Sequence, residues 1–187
     1  TGLPFALVRR NMTKISGVMG NVSDILKGLM RGLPLDVLDT GVSTAGGSAV
    51  SFTARGSSLG VVLPSNSPGV HSLWAPSIAL KTPLILKPGS AEPFTPLRIV
   101  QAFIAAGVPK QAFAYLPSSH AGSEEILRRC GRGMVFGDTG STAKWSILFA
   151  HRFARRLGNR LGSGSLFFCF SRWRRCLSSF QRKADAL

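Results

Sequence analysis

Three short segments of this chain place reactive or ligand-binding side chains in settings that could use them. Asn66 stands in Pro64-Ser65-Asn66-Ser67-Pro68. An amide there can close an Asx turn on its own backbone, or point its N–H groups at a ligand. Lys87 ends the apolar run Pro83-Leu84-Ile85-Leu86-Lys87, where a lone lysine is ordinarily a solvated strand end. Thr139-Gly140-Ser141-Thr142 can open a helix. Its unsatisfied backbone N–H groups and hydroxyls, centred on Gly140 and Ser141, can either cap that helix or bind a pyrophosphate.

Other patterns fail on context. Ser141-Thr-Ala-Lys144 matches S-x-x-K but has no S-D-N or K-T-G partner in the chain. Gly131-Arg-Gly133 precedes an expected strand, whereas a dinucleotide fingerprint follows one. His71 and His120 are isolated, which points to loop or helix-surface roles. Cys130, Cys169 and Cys176 form no C-x-x-C pair and no metal-ligand spacing with the histidines, so no zinc site or disulfide framework is indicated and a reducing, cytoplasmic setting is expected.

The elements that must hold these segments follow from hydrophobic period. Pro4 and the apolar residues from Phe5 to Met30 recur at helical spacing, which predicts one or two amphipathic helices ending near Gly32. Residues 33 to 48 read as a loop. AVSFTAR and LGVVLPS, separated by Gly56-Ser57-Ser58, read as a hairpin.

From Leu59 short apolar strands alternate with helical runs: LGVVLP then HSLWAPSIALK, PLILKP then TPLRIVQAFIAAG, AFAYLP then SEEILRRC, and finally GMVFG. Ser123 suits a helix start, and Gly107 before Pro109 a helix stop. This alternation predicts an α/β fold, a partial Rossmann-like parallel sheet with flanking helices, preceded by N-terminal helices. Ligands of such sheets bind beyond the carboxyl ends of the strands, which directs attention to the loops holding Asn66, Lys87 to Glu92, Pro117 to Gly122 and Gly137 to Thr142.

The chain has 187 residues and 44% hydrophobic composition, enough for one domain with a core and too little for a complete two-domain enzyme. Its net charge of +15 is unevenly spread. Residues 146 to 187 hold eight Arg, Lys183 and one acid, Asp185, together with six of the twelve Phe. Composition therefore divides the chain into an N-terminal helical segment and loop (1–47), an α/β region (48–145) and a basic tail (146–187). The longest stretch without Lys, Arg, Asp or Glu, Gly56 to Leu80, is broken by prolines, Asn66 and His71, so no membrane span is expected.

Pro64-Ser65-Asn66-Ser67-Pro68, Ala79-Leu80-Lys81-Thr82-Pro83 running on to Lys87-Pro88, Gly107-Val108-Pro109, and Phe136-Gly137-Asp138-Thr139-Gly140-Ser141-Thr142 occur in register. Taken together, over roughly residues 48 to 145, they resemble the NAD(P)-dependent aldehyde dehydrogenase superfamily. The resemblance implies that Asn66 donates its amide to the oxyanion formed when a cysteine thiolate attacks the aldehyde. It implies that Lys87 contacts the ribose or adenine-side phosphate of NAD or NADP, and that Gly140 and Ser141 belong to a cofactor turn.

Two departures stand out. Ser90 occupies the position where the family commonly has a glutamate on the ribose hydroxyls, which favours NADP or dual use unless Glu92 reaches back. Gly137-Asp138 is inserted before the Thr-Gly-Ser turn, and its acid is unfavourable beside a phosphate.

The family also needs a cysteine nucleophile and a glutamate base. None of the three cysteines has the nucleophile's Gly-Gln-x-Cys surroundings, so the expectation is a truncated, inactive front portion of an oxidoreductase that acts on aldehydes or acyl derivatives and forms an oligomer when intact. The tail's change of composition suggests an out-of-frame reading. The alternative is a basic module for nucleic acid or an anionic surface, which is disfavoured because it rests on the tail alone.

Overall fold

The computed structural model describes residues 2–53, 56–66 and 68–136. The chain opens with helices α1 (Phe5–Gly20) and α2 (Val22–Leu29), followed by a helical turn, α3 (Val37–Thr40), and strands β1 (Val42–Ala45) and β2 (Ser48–Ser51). Strand β3 (Leu59–Val62) leads through a 3-10 turn, Pro68–Val70, into α4 (His71–Trp74) and a second 3-10 segment, Ala75–Leu80. Then come β4 (Leu84–Lys87), α5 (Phe94–Ala105), β5 (Phe113–Tyr115), α6 (His120–Arg129) and β6 (Arg132–Val135).

Strands β3 to β6 form one four-stranded parallel sheet in the order β5-β4-β3-β6. The expected α/β fold is present. Register sets Leu59, Val61, Leu84 and Leu86 on one face and Gly60 and Ile85 on the other. The first face packs into a core with Trp74, Ala75 and Val100, joined by Ile99 and Phe103 of α5 and Met19 of α1. The second is covered by α6, whose Ile126 and Cys130 lie so close to Gly60 that a Cβ there would sit 2.9 and 2.8 Å from their side chains. Helices on both faces explain why the strands are almost continuously apolar.

The hairpin forms elsewhere than the sequence suggests. β2 pairs antiparallel with β1, inside the stretch read as loop, and not with LGVV, which leads the parallel sheet as the alternation of strands and helices predicts. The cause is local: Gly46 and Gly47, at φ +55 and +79, provide a two-residue turn with the twist hairpins prefer. Two further boundaries move for physical reasons. Pro76 lacks an N–H and tightens the run after Trp74 into a 3-10 segment. α6 begins at His120, with Ser123 buried inside it and bonded back to the Ser119 carbonyl at 3.3 Å. α1 leaves Phe5 and Met12 exposed and buries the polar Asn11. The stop at Gly107 holds, with φ +98.

Candidate functional site

Strand order locates the site before any side chain is considered. From β3 the chain steps outward to β4 and β5, then returns to place β6 on the opposite side of β3. The direction of travel across the sheet thus reverses at β3, and ligands of such sheets bind beyond the carboxyl ends of the strands at that position. The β3 loop contains Asn66; Phe136 begins the β6 loop. Gly140 and Ser141 lie outside the described residues, as does the Arg-rich tail on which a surface-binding alternative would depend.

Asn66 is solvent-exposed in this loop, and among the described residues its amide makes no hydrogen bond, so no Asx turn consumes it. Lys87 is at the same end of the adjacent strand. Its carbonyl accepts the Leu63 N–H at 2.9 Å and extends the β3–β4 ladder into the loops. Only 7% of the residue is exposed. The acids engaged in ion pairs among the described residues are Asp24, Asp39, Glu124 and Glu125, and their partners are Lys27, Lys81, Arg128 and Arg129. Lys87 is thus a largely buried lysine whose ammonium has no carboxylate opposite it among the described residues, which leaves it available to an anion.

The loop after Lys87 shows why no carboxylate reaches it. Ser90 is exposed. Glu92 is buried and turned forward: one carboxylate oxygen accepts both the backbone N–H and the hydroxyl of Thr95, each at 2.9 Å. It caps the first turn of α5 and does not reach back toward Ser90. The loop therefore offers a cation and a hydroxyl, a donor set suited to a phosphorylated ribose.

Behind Asn66 are two buried polar side chains. His71 is not on a loop or helix surface. It is 2% exposed, accepts the Trp74 indole N–H on Nδ1 at 3.0 Å, and meets that ring edge-on at 5.9 Å between centroids. Burial lowers its pKa to about 4, with Glu92 acting weakly in the other direction. Neither its isolation in sequence nor its neighbours signalled this. Asn11 is the second: its side chain is against Gly69, where a Cβ would stand 2.7 Å from Oδ1, and its buried Nδ2 has no hydrogen-bond partner among the described residues. His120, by contrast, is exposed as expected.

Cys130 is 2% exposed beneath α6, on the face of the sheet opposite the Trp74 core, a setting for an inert thiol. Among the described residues no group of His, Cys, Asp and Glu could hold a metal ion, and no helix is long and apolar enough to cross a membrane.

The model of the aldehyde dehydrogenase family matches residues 38–159. This stretch takes in the β1–β2 hairpin and every strand of the parallel sheet, and it runs past Trp145 into the first part of the basic tail. No curated protein and no solved structure matches the chain. With a match over more than half its length, the chain belongs to the aldehyde dehydrogenase family.

Proposed function

We propose that residues 48–145 are the cofactor-binding part of an oxidoreductase that acts on small aldehydes or their acyl derivatives with NAD(P), with NADP preferred. A bound nicotinamide cofactor supplies the hydride acceptor. In this reading the chain's own groups bind and orient. The Lys87 ammonium and Ser90 hydroxyl take the phosphorylated adenosine ribose, Gly140 and Ser141 take the pyrophosphate, and the Asn66 amide donates to an oxyanion developing on the substrate carbonyl.

The observation that carries the reading is Lys87: a largely buried lysine at the carboxyl end of β4, with no carboxylate partner among the described residues and with Glu92 committed to Thr95. A carboxylate near the ribose would favour its free hydroxyls and repel a 2′-phosphate; the loop presents Ser90 in its place.

The 187-residue chain on its own binds cofactor without turnover on this reading, since Cys130 is buried and neither Cys169 nor Cys176 has a nucleophile's surroundings. The complete enzyme works as an oligomer in the cytoplasm. Calorimetric titration with NADP+ and NAD+ tests the cofactor assignment. NADP+ should bind more tightly, and Lys87→Ala should weaken it by roughly tenfold or more. Failure of both nucleotides to bind, or unchanged binding by the variant, would refute it, and NAD(P)H formation from aldehyde by the purified chain would refute the absence of turnover.

A further inference from the structure

The loop that carries Asn66 and the loop that carries Ser90 are locked together. Ser65, directly before Asn66, accepts on Oγ the backbone N–H of Ala91, directly after Ser90, at 3.2 Å. On the other side of Ser90, buried Gly89 lies against the same turn. A Cβ on it would stand 2.5 Å from Ser65 Oγ, 2.6 Å from the Ser65 nitrogen and 2.7 Å from the Pro64 carbonyl carbon.

Gly89 is absent from the positive-φ residues, so its backbone does not call for glycine; the space does. Two of the three atoms it would strike are main chain and cannot rotate aside. One hydrogen bond and one backbone-to-backbone contact therefore bracket Ser90 on one strand's loop and abut Asn66 on the next. The ladder bond from Leu63 N–H to the Lys87 carbonyl closes the same clamp from the sheet side.

We propose that Ser65 and Gly89 are positioning residues that tie the orientation of the Asn66 amide to occupancy of the Lys87–Ser90 loop by a phosphorylated ribose. This rests on the cofactor reading above. A ligand that shifts or stiffens the loop around Ser90 acts on Ala91 and Gly89, and each passes the change to Ser65, the one through its hydrogen bond and the other through its close backbone contact. Asn66 is then set for an oxyanion when the cofactor loop is filled.

The test uses adenosine 2′,5′-bisphosphate, which has the phosphorylated ribose and lacks the nicotinamide, so any response at Asn66 is transmitted. The full chain, labelled with nitrogen-15, is titrated while the Ser90 backbone and Asn66 side-chain amides are followed by NMR. Both should shift along one binding curve. In Ser65→Ala the Ser90 response should persist while that of Asn66 shrinks by about threefold or more, and Gly89→Ala should likewise uncouple the two. A Ser90 response with a silent Asn66 in the unsubstituted chain overturns the proposal alone, as does an undiminished Asn66 response in a folded variant. No response at either position overturns the cofactor reading and the proposal with it. The unsubstituted chain decides the matter even where a variant fails to fold.

Discussion

Trp74 donates its indole N–H to Nδ1 of His71 across 3.0 Å, with both side chains buried. An indole can only donate, so this bond requires Nδ1 to be unprotonated and leaves the imidazole proton on Nε2. Adding a second proton costs the bond and creates a buried cation.

Stability should therefore fall on mild acidification. Above pH 6.5 the imidazole is neutral in both folded and unfolded chains. Between 6.5 and about 4 the unfolded chain takes up a proton that the fold refuses, so unfolding is favoured progressively as pH drops through that window. The full effect is of order 3 kcal/mol. Urea unfolding at pH 7.5 and pH 4.5 measures it, and His71→Gln should remove most of the difference. A difference of the same size in that variant would place the acid sensitivity elsewhere.

Glu92→Gln keeps an oxygen that can accept from Thr95 but removes the charge that opposes His71's depressed pKa. His71 should then titrate at a lower pH than in the unsubstituted chain, read from its ring proton shifts. Glu92→Ala deletes the cap of α5 as well, at a cost of about 0.5–2 kcal/mol in thermal or urea unfolding.

Gly60→Ala should destabilise the fold by about 1–3 kcal/mol, because the new methyl meets Cys130 Sγ at 2.8 Å and the Ile126 side chain at 2.9 Å between the sheet and α6. Adding Cys130→Ala should return part of that loss. A double variant no more stable than Gly60→Ala would show that the strain lies in Ile126 or the backbone.

Ser90→Glu places a carboxylate in the loop beside Lys87. NADP+ affinity should drop by roughly tenfold or more while NAD+ is held or improved. Paired titrations with the two nucleotides check it; equal losses for both would mean the variant disturbs the loop without reading the 2′-phosphate.

The alternation of short apolar strands with helices was readable because both faces of this sheet are covered, which leaves Val61, Leu84 and Leu86 in near-continuous apolar runs. The pairing of β2 was not, since both Gly46-Gly47 and Gly56-Ser57-Ser58 can turn a chain, and only the positive φ at both Gly46 and Gly47 shows which of them makes the hairpin. At the site, the loops carrying Asn66 and Lys87 were legible from spacing and topology. The burial of His71 was invisible because α1, from a distant part of the chain, packs on the helix that carries it. The contact between Ser65 and Gly89 escaped for a similar reason: it is a property of two loops brought side by side by the β3–β4 register.

The strand order also has a consequence for biogenesis. β3 obtains its β4 neighbour soon after it is made, yet its other edge waits for Arg132–Val135, the last strand of the described sheet to be synthesised. Until then the backbone of Leu59–Val62 presents an open row of donors and acceptors beside an uncovered apolar face. During translation this is the stage at which the nascent chain is most open to wrong partners. Docking of β6, paired to β3 across the longest sequence separation in the sheet, is the step that removes the hazard and the one whose loop closure sets the pace.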